Sequence, residues 1–407
     1  MIPSNALIRH ETLLKRLDEA ERISESTPFN RVVRDGGEVG IVTSGVSVNY
    51  SLEAVEKLDI AASVLKLGMT HPLPSKLVLD FIDKFEMIFI VEELEPILEN
   101  AVRSIAFAGH KRPAILGKLT GHLPRSREYS TRIVVEGLAK GLGIETTRTT
   151  INGIAYTPSD IPGRPPVLCP GCPHRASFYL VKTSLGSKPV YCTDIGCYAL
   201  GVQPPLAIGD VLICMGASVG LACGVSKAHD GPVLAVIGDS TFFHAAIPAL
   251  IDAVNNDHRI IVTVLDNLTT AMTGFQPHPG SVDQNRRGSR VSVEEVAKGC
   301  GVKYVKVLDP YDVSEARRVL KEASNIPGPS VIVLRHLCCI LETKKDGKKP
   351  VYRVDERCNG CRVCITIFGC PAMYLEGGAV KINSSLCNGC GFCVHVCPSK
   401  AIVRDRD

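Results

Sequence analysis

VLAVIGDSTFFHAAIPALIDAVNNDHRIIVTVLDNLTT, residues 233–270, holds two short apolar runs, each ending in residues able to bind a metal. Val233 to Ile237 runs into Gly238-Asp239, and Arg259 to Leu265 runs into Asp266-Asn267. Such uninterrupted β-rich runs read as buried parallel strands. Between them Phe243, Ile247, Leu250, Ile251 and Val254 recur at helical spacing, with Pro248 expected to kink the helix. A right-handed strand–helix–strand unit places Asp239 and Asn267 at the carboxyl ends of strands in one sheet, where open α/β folds bind ligands. A carboxylate, an amide oxygen and a backbone carbonyl are the hard donors that Mg²⁺ takes beside phosphate oxygens. The helix start after Ser240 offers amides to an anion.

Gly238-Asp239 followed 28 residues on by Asn267 resembles the thiamine-diphosphate motif, with Ser240 where that family usually has Gly. The resemblance implies that Asp239, the Asn267 side chain and the Thr269 carbonyl hold Mg²⁺, with Gly238 and Ser240 lining the diphosphate. Asp as a plain helix cap explains Gly-Asp alone equally well.

Elsewhere, 17 cysteines and no tryptophan stand out in 407 residues, a length for two or three domains. The amino terminus is charged and no apolar run is long enough to span a bilayer, so the expectation is a cytoplasmic protein without membrane contact. There, Cys-x-x-Cys groups signal metal or cluster ligands rather than disulfides. A net charge of +4 does not point to nucleic acid.

In chain order, residues 1–28 read as an amphipathic helix and linker, with Leu13, Leu14, Leu17 and Ala20 on one face. Residues 29–145 read as α/β: strands VGIVTSG, SVLKLG, MIFIVEE and AILGKL, with helices 50–58, 74–85 and 94–107. VTSGVSVNY and IVEELEP resemble the carboxyl-terminal domain of the transketolase superfamily, which implies a structural role; Glu92 and Glu93 are expected to be exposed strand-end carboxylates. Residues 146–168, with four prolines, read as a linker, and residues 169–340 as the diphosphate-binding domain.

CPGCPHR, at 169–175, and YCTDIGCY, at 191–198, supply Cys169, Cys172, Cys192 and Cys197, a spacing that suits structural zinc. A second partition takes Cys169, Cys172 and Cys197 with a cysteine of RHLCCI, at 335–340, as a [4Fe-4S] site. His174 is a candidate acid or base, and Arg175 a candidate partner for phosphate or carboxylate. CMGASVGLACGVS, at 214–226, suits close backbone approach, and TAMTGFQPHPG, at 270–280, reads as a loop over the site. ETKKDGKKPV, at 342–351, reads as a polar linker.

Residues 350–407 carry the sharpest pattern: Cys358, Cys361, Cys364 and Cys370-Pro371, then Cys387, Cys390, Cys393 and Cys397-Pro398. Two such runs are the bacterial two-cluster ferredoxin pattern, in which the fourth cysteine of each run serves the other cluster. Cluster one then takes Cys358, Cys361, Cys364 and Cys397; cluster two takes Cys387, Cys390, Cys393 and Cys370. The loop ITIFG before Cys370 is longer than in the simple run.

CPGCPHR, TDIGCY, CMGASVG, GDS and DNLTTAMTGFQ, in this order, resemble the 2-oxoacid:ferredoxin oxidoreductases, in particular the indolepyruvate type. The resemblance favours the proximal cluster over zinc and selects Cys338 by the family's Arg-x-Pro-Cys pattern, although Leu337 replaces that Pro and leaves Cys339 open. It implies thiamine diphosphate, Mg²⁺ and three [4Fe-4S] clusters, with oxidative decarboxylation of arylpyruvates in which coenzyme A takes the acyl group, CO₂ leaves and soluble ferredoxin takes the electrons. It also implies a partner subunit of the gamma type. The family's pyrimidine-binding domain, source of its activating glutamate, is not found in this sequence and is expected on a separate chain. Related enzymes with another 2-oxo acid, and an electron-transfer subunit with a vestigial thiamine site, are the alternatives.

Overall fold

The computed structural model describes residues 2–109, 112–145, 163, 165–185, 189–281, 289–347 and 349–405. It forms two compact units, Met1–Ile161 and Pro162–Asp407. Most of the expected linker at 146–168 lies outside the described residues.

The first unit begins with α1 (Pro3–Ser26) and holds strands β1 (Arg31–Arg34), β2 (Val39–Ser44), β3 (Ala62–Leu67), β4 (Met87–Val91) and β5 (Ala114–Leu116). The strand order is β1-β3-β2-β4-β5, parallel except for β1. Alternate residues face opposite ways: Val42, Leu65, Ile88 and Ile90 pack under α3 (Ser75–Ile82) and α4 (Ile97–Ala106), and Ile41, Val64, Phe89 and Val91 under α2 (Ser47–Lys57) and α5 (Thr131–Leu142). α1 docks through Glu25, whose carboxylate accepts from Lys76 N at 2.7 Å and Leu77 N at 2.9 Å, satisfying the free amides at the start of α3. Glu92 departs from expectation. It is buried and caps α4, accepting from Leu98 N at 2.8 Å and Glu99 N at 2.9 Å, while Glu93 accepts from Tyr129 N at 2.7 Å. The buried Glu92 thus neutralises the positive start of α4.

The second unit opens with α6 (Pro173–Ser184), β6 (Val190–Cys192), α7 (Ser218–Val225) and β7 (Val233–Gly238). A helical turn α8 (Asp239–Thr241), a π-helical turn (Phe242–Ala246) and α9 (Ile247–Asn255) follow, then β8 (Ile261–Asp266), α10 (Val293–Gly299), β9 (Tyr304–Leu308), α11 (Val313–Ala323) and β10 (Ser330–Arg335). The sheet is wholly parallel, in the order β6-β7-β8-β10-β9. Its register pairs Gly238 with Leu265 and Asp266 with Arg335, so the polar ends of β7, β8 and β10 share one edge. Leu234, Val236, Ile332 and Leu334 face one core, and Val233, Ala235, Ile237, Val262 and Val264 the other.

Where a polar linker is expected, α12 (Cys339–Asp346) covers much of residues 342–351. Its amphipathic start is anchored by the buried Cys339. Beyond it, β11 (Tyr352–Val354), β12 (Met373–Glu376), β13 (Ala379–Ile382), α13 (Cys393–Val396) and β14 (Ile402–Arg404) form two small antiparallel ladders, β11 with β14 and β12 with β13. Phe368, Phe392, Val396 and Ile402 belong to the same apolar core as Tyr179 and Leu180 of α6. No helix among the described residues is long and apolar enough to cross a membrane.

Candidate thiamine and iron–sulfur sites

Asp239, 3 % exposed, leaves the end of β7. Its Oδ1 accepts from Ser240 N at 2.8 Å, and its Oδ2 lies 3.0 Å from His278 Nε2. Gly280 N donates to His278 Nδ1 at 3.1 Å, so the ring proton is on Nε2 and is given to Asp239. His278 therefore orients the carboxylate. The histidine lies in the 270–280 loop, and only the fold of that loop brings it to β7.

Asn267, at the end of β8, is also buried. Leu268 takes a left-handed conformation, φ 64°, and the turn lets Thr269 N approach Asn267 Oδ1 at 3.4 Å. Asn267 Nδ2 donates to His174 Nε2 at 3.3 Å. Burial pushes His174 down to about 4, against the pull of Asp239, so it is the neutral ring that accepts. Asp266 is pushed up by burial and then by the charge of Asp239, with Arg335 opposing at 2.6 Å. Two buried carboxylates at one strand edge, with a guanidinium on only one of them, form a setting that favours a divalent cation. The hard oxygen donors fit magnesium. Gly238 and Gly196 are needed for close packing, since a Cβ on either would stand 2.5 or 2.4 Å from the Tyr198 ring.

Asp194 of the TDIGC loop, fully buried, accepts from Gly216 N, from Ser218 N at 3.2 Å and from Ser218 Oγ at 2.7 Å. It thus fastens the small-residue stretch to the cysteine loop, a role that the sequence signalled only by proximity.

Cys169, Cys172, Cys197, Cys338 and Cys339 lie within electrostatic reach of one another. Cys339 shares hydrogen bonds with Cys169 and Cys338, holding both thiols down at about 6 while its own is pushed far up. Burial raises Cys172 to about 12. Cys192 is not part of this group: it belongs to the core on the other face of the sheet, close to Cys223. The backbone joins the two sites, for Cys338 N donates to Asn267 O at 3.2 Å.

In the ferredoxin-like region one pocket is lined by Cys358, Cys361, Cys364 and Cys397. Another is lined by Cys370, Cys387, Cys390 and Cys393, with Pro170 and Gly171 from the CPGC turn. Among the described residues, three ligand atoms come mutually within 4.8 Å only at Cys223, Asp252 and His258, and not in any of these cysteine sets.

Among the described residues the partners of Arg175 are backbone carbonyls, not a carboxylate. Buried, it donates to Leu168 O at 2.6 Å, Phe368 O at 3.2 Å and Gly369 O at 2.6 Å, the peptides just before Cys169 and Cys370. Tyr311, which the sequence did not single out, donates to Gly171 O at 3.0 Å and reaches Cys390.

A family model described as thiamine pyrophosphate enzyme, C-terminal TPP binding domain, matches residues 194–334, and a 4Fe-4S binding domain model matches residues 380–403. Indolepyruvate oxidoreductase subunit IorA of Archaeoglobus fulgidus is 40 % identical over 413 residues, 99 % of this chain and 65 % of that protein. The IorA of Methanothermobacter marburgensis is 37 % identical over 411 residues, 98 % of this chain and 66 % of that protein. The chain thus spans just under two thirds of the length of these relatives. Among solved structures, the 2-oxoglutarate:ferredoxin oxidoreductase from Magnetococcus marinus matches at 18 % identity over 45 % of this chain and 68 % of that one, with a TM-score of 0.38, at which likeness nothing further follows.

Proposed function

Because the chain belongs to the family of indolepyruvate oxidoreductase subunit IorA, we propose that it carries the diphosphate-binding and electron-exit parts of an arylpyruvate oxidoreductase. The acyl acceptor is coenzyme A and the electron acceptor a soluble ferredoxin. The observation that carries this reading is the hydrogen bond from Cys338 N to Asn267 O, which joins a candidate cluster ligand to a candidate magnesium ligand.

When bound, thiamine diphosphate supplies an electron sink for decarboxylation of a 2-oxo acid, and iron–sulfur clusters take up electrons singly. Asp239, Asn267 and the Thr269 carbonyl would hold its magnesium, with Gly238 and Ser240 at the diphosphate. His278 keeps the Asp239 carboxylate oriented. His174, neutral and buried, fixes the amide of Asn267 so that the amide oxygen is left for the metal. Cys169, Cys172, Cys197 and Cys338 would hold the proximal cluster. The backbone hydrogen bond from Cys338 N to Asn267 O at 3.2 Å supports Cys338 as the fourth ligand. The two ferredoxin sets make three [4Fe-4S] clusters in all. The pyrimidine-activating glutamate would come from outside the residues described here, and the gamma-type domain from a partner subunit.

The test is anaerobic purification with copurifying subunits, followed by ferredoxin reduction with coenzyme A and a panel of 2-oxo acids. Arylpyruvates are expected to give the highest kcat/KM. Reduction with branched-chain oxoacids instead would reassign the substrate, and no reduction with any 2-oxo acid would overturn the reading.

A further inference from the structure

Cys223 on α7, Asp252 on α9 and His258 in the turn after α9 bring a sulfur, a carboxylate oxygen and an imidazole nitrogen within 4.8 Å of one another. Cys223 and His258 are buried, at 4 % and 8 % exposure, and Asp252 stands at the solvent rim. These residues lie outside both sites above.

Hydrogen bonding around His258 sets its tautomer. Ser226 Oγ donates its one proton to Cys223 O at 2.7 Å, so toward His258 Nδ1, at 3.1 Å, it acts as an acceptor. In the neutral ring, Nδ1 therefore carries the hydrogen, and the lone pair on Nε2 faces Asp252 Oδ2 at 3.9 Å. The other carboxylate oxygen of Asp252 accepts from Asn256 Nδ2 at 2.8 Å. A histidine with one nitrogen tied to an oxygen and the other free, beside a carboxylate held by an amide, is the usual outer support of a metal ligand set.

We propose that Cys223, Asp252 and His258 form a binding site for a divalent cation of the zinc type, with a fourth position open to solvent. Mixed sulfur, nitrogen and oxygen donors suit zinc and disfavour magnesium or calcium, which take oxygen. Zinc bonds of about 2.0 to 2.3 Å put tetrahedral ligands roughly 3.3 to 3.8 Å apart, so the observed 3.9 Å between His258 and Asp252 closes with small rotations. The ion would clamp α7 to α9. Both helices run from the candidate thiamine site: α7 starts at Ser218, held by Asp194, and α9 continues from the turn after Asp239.

The full chain, purified anaerobically with its clusters, is dialysed at buffered free zinc, and zinc and iron are counted alongside Zn K-edge absorption. One zinc with a single sulfur neighbour and the rest nitrogen or oxygen is expected. Asp252→Asn, at an exposed position, and His258→Gln should each weaken zinc binding about tenfold or more with iron unchanged. Equal zinc in the wild type and both variants, no zinc in the wild type, or a four-sulfur shell would overturn the proposal; the last would put zinc at the iron–sulfur cysteines.

Discussion

Cys338 and Cys339 are adjacent, both buried and close to Cys169, yet their surroundings separate them. Cys338 donates its backbone N–H to Asn267 O at 3.2 Å, whereas Cys339 is the first residue of α12. Cys338→Ala is therefore expected to lose about four irons of a total of about twelve per chain. Cys339→Ala should keep them. Iron and acid-labile sulfide per polypeptide read the difference, and the reverse result would make Cys339 the ligand. In the sequence only an imperfect match at Leu337 bore on this choice. His278 was harder still, since a lone histidine in a loop acquires its role only when the loop folds back onto β7.

At the scale of elements, Arg335 on β10 ties β8 to α10: its Nε donates to Asp266 at 2.6 Å, and its Nη2 donates to Glu294 at 2.6 Å. The Arg335 hydrogen bond is the chief cause holding Glu294 down at about 2, from an ordinary 4.5. A depressed carboxylate stabilises the fold above its unfolded pKa and loses that contribution as pH falls toward the folded value. The gap in urea midpoint between wild type and Glu294→Gln should thus be full at pH 7, shrink below about pH 4.5 and close toward pH 2. A gap independent of pH would show that the ion pair contributes nothing. Strand and helix periodicity found most elements of the first unit but not α5, whose Gly137 and Gly141 lower its helix propensity. Those glycines let it seat closely: a Cβ at Gly141 would stand 2.5 Å from Phe89, and one at Gly137 2.7 Å from Leu123. The Ser130 cap and the left-handed Gly143 were the legible signal. A helix between β7 and β8 was expected to kink at Pro248; the chain has a π turn at Phe242–Ala246 directly before α9, which begins at Ile247. Pro248 then falls in a first turn, where its missing N–H costs little.

Across the second unit, the ferredoxin-like region and the parallel sheet share one core, in which Phe392 stacks on Phe368 at 5.2 Å and meets Tyr179 and Tyr311 edge-on at 5.7 Å each. Phe392 is 1 % exposed, so Phe392→Ala should cost about 3–5 kcal/mol. Because the core is common, bleaching of cluster absorbance and loss of far-ultraviolet dichroism from this unit are expected to coincide in denaturant. Two separated transitions would mean that the regions unfold independently. The sequence by itself determined the chemistry: the cysteine runs, Gly-Asp and the distant Asn are local patterns whose donors suit iron–sulfur clusters and magnesium whatever the wider fold. Only the tertiary structure decided which donors meet. Cys192 lies five residues from Cys197, yet it ends β6 and points into the core opposite to its neighbour Tyr191, because side chains on a strand alternate between the two faces of its sheet, whereas Cys197 sits in the turn beyond the strand. Asn267 and Cys338, far apart in the chain, meet because β8 and β10 pair in register.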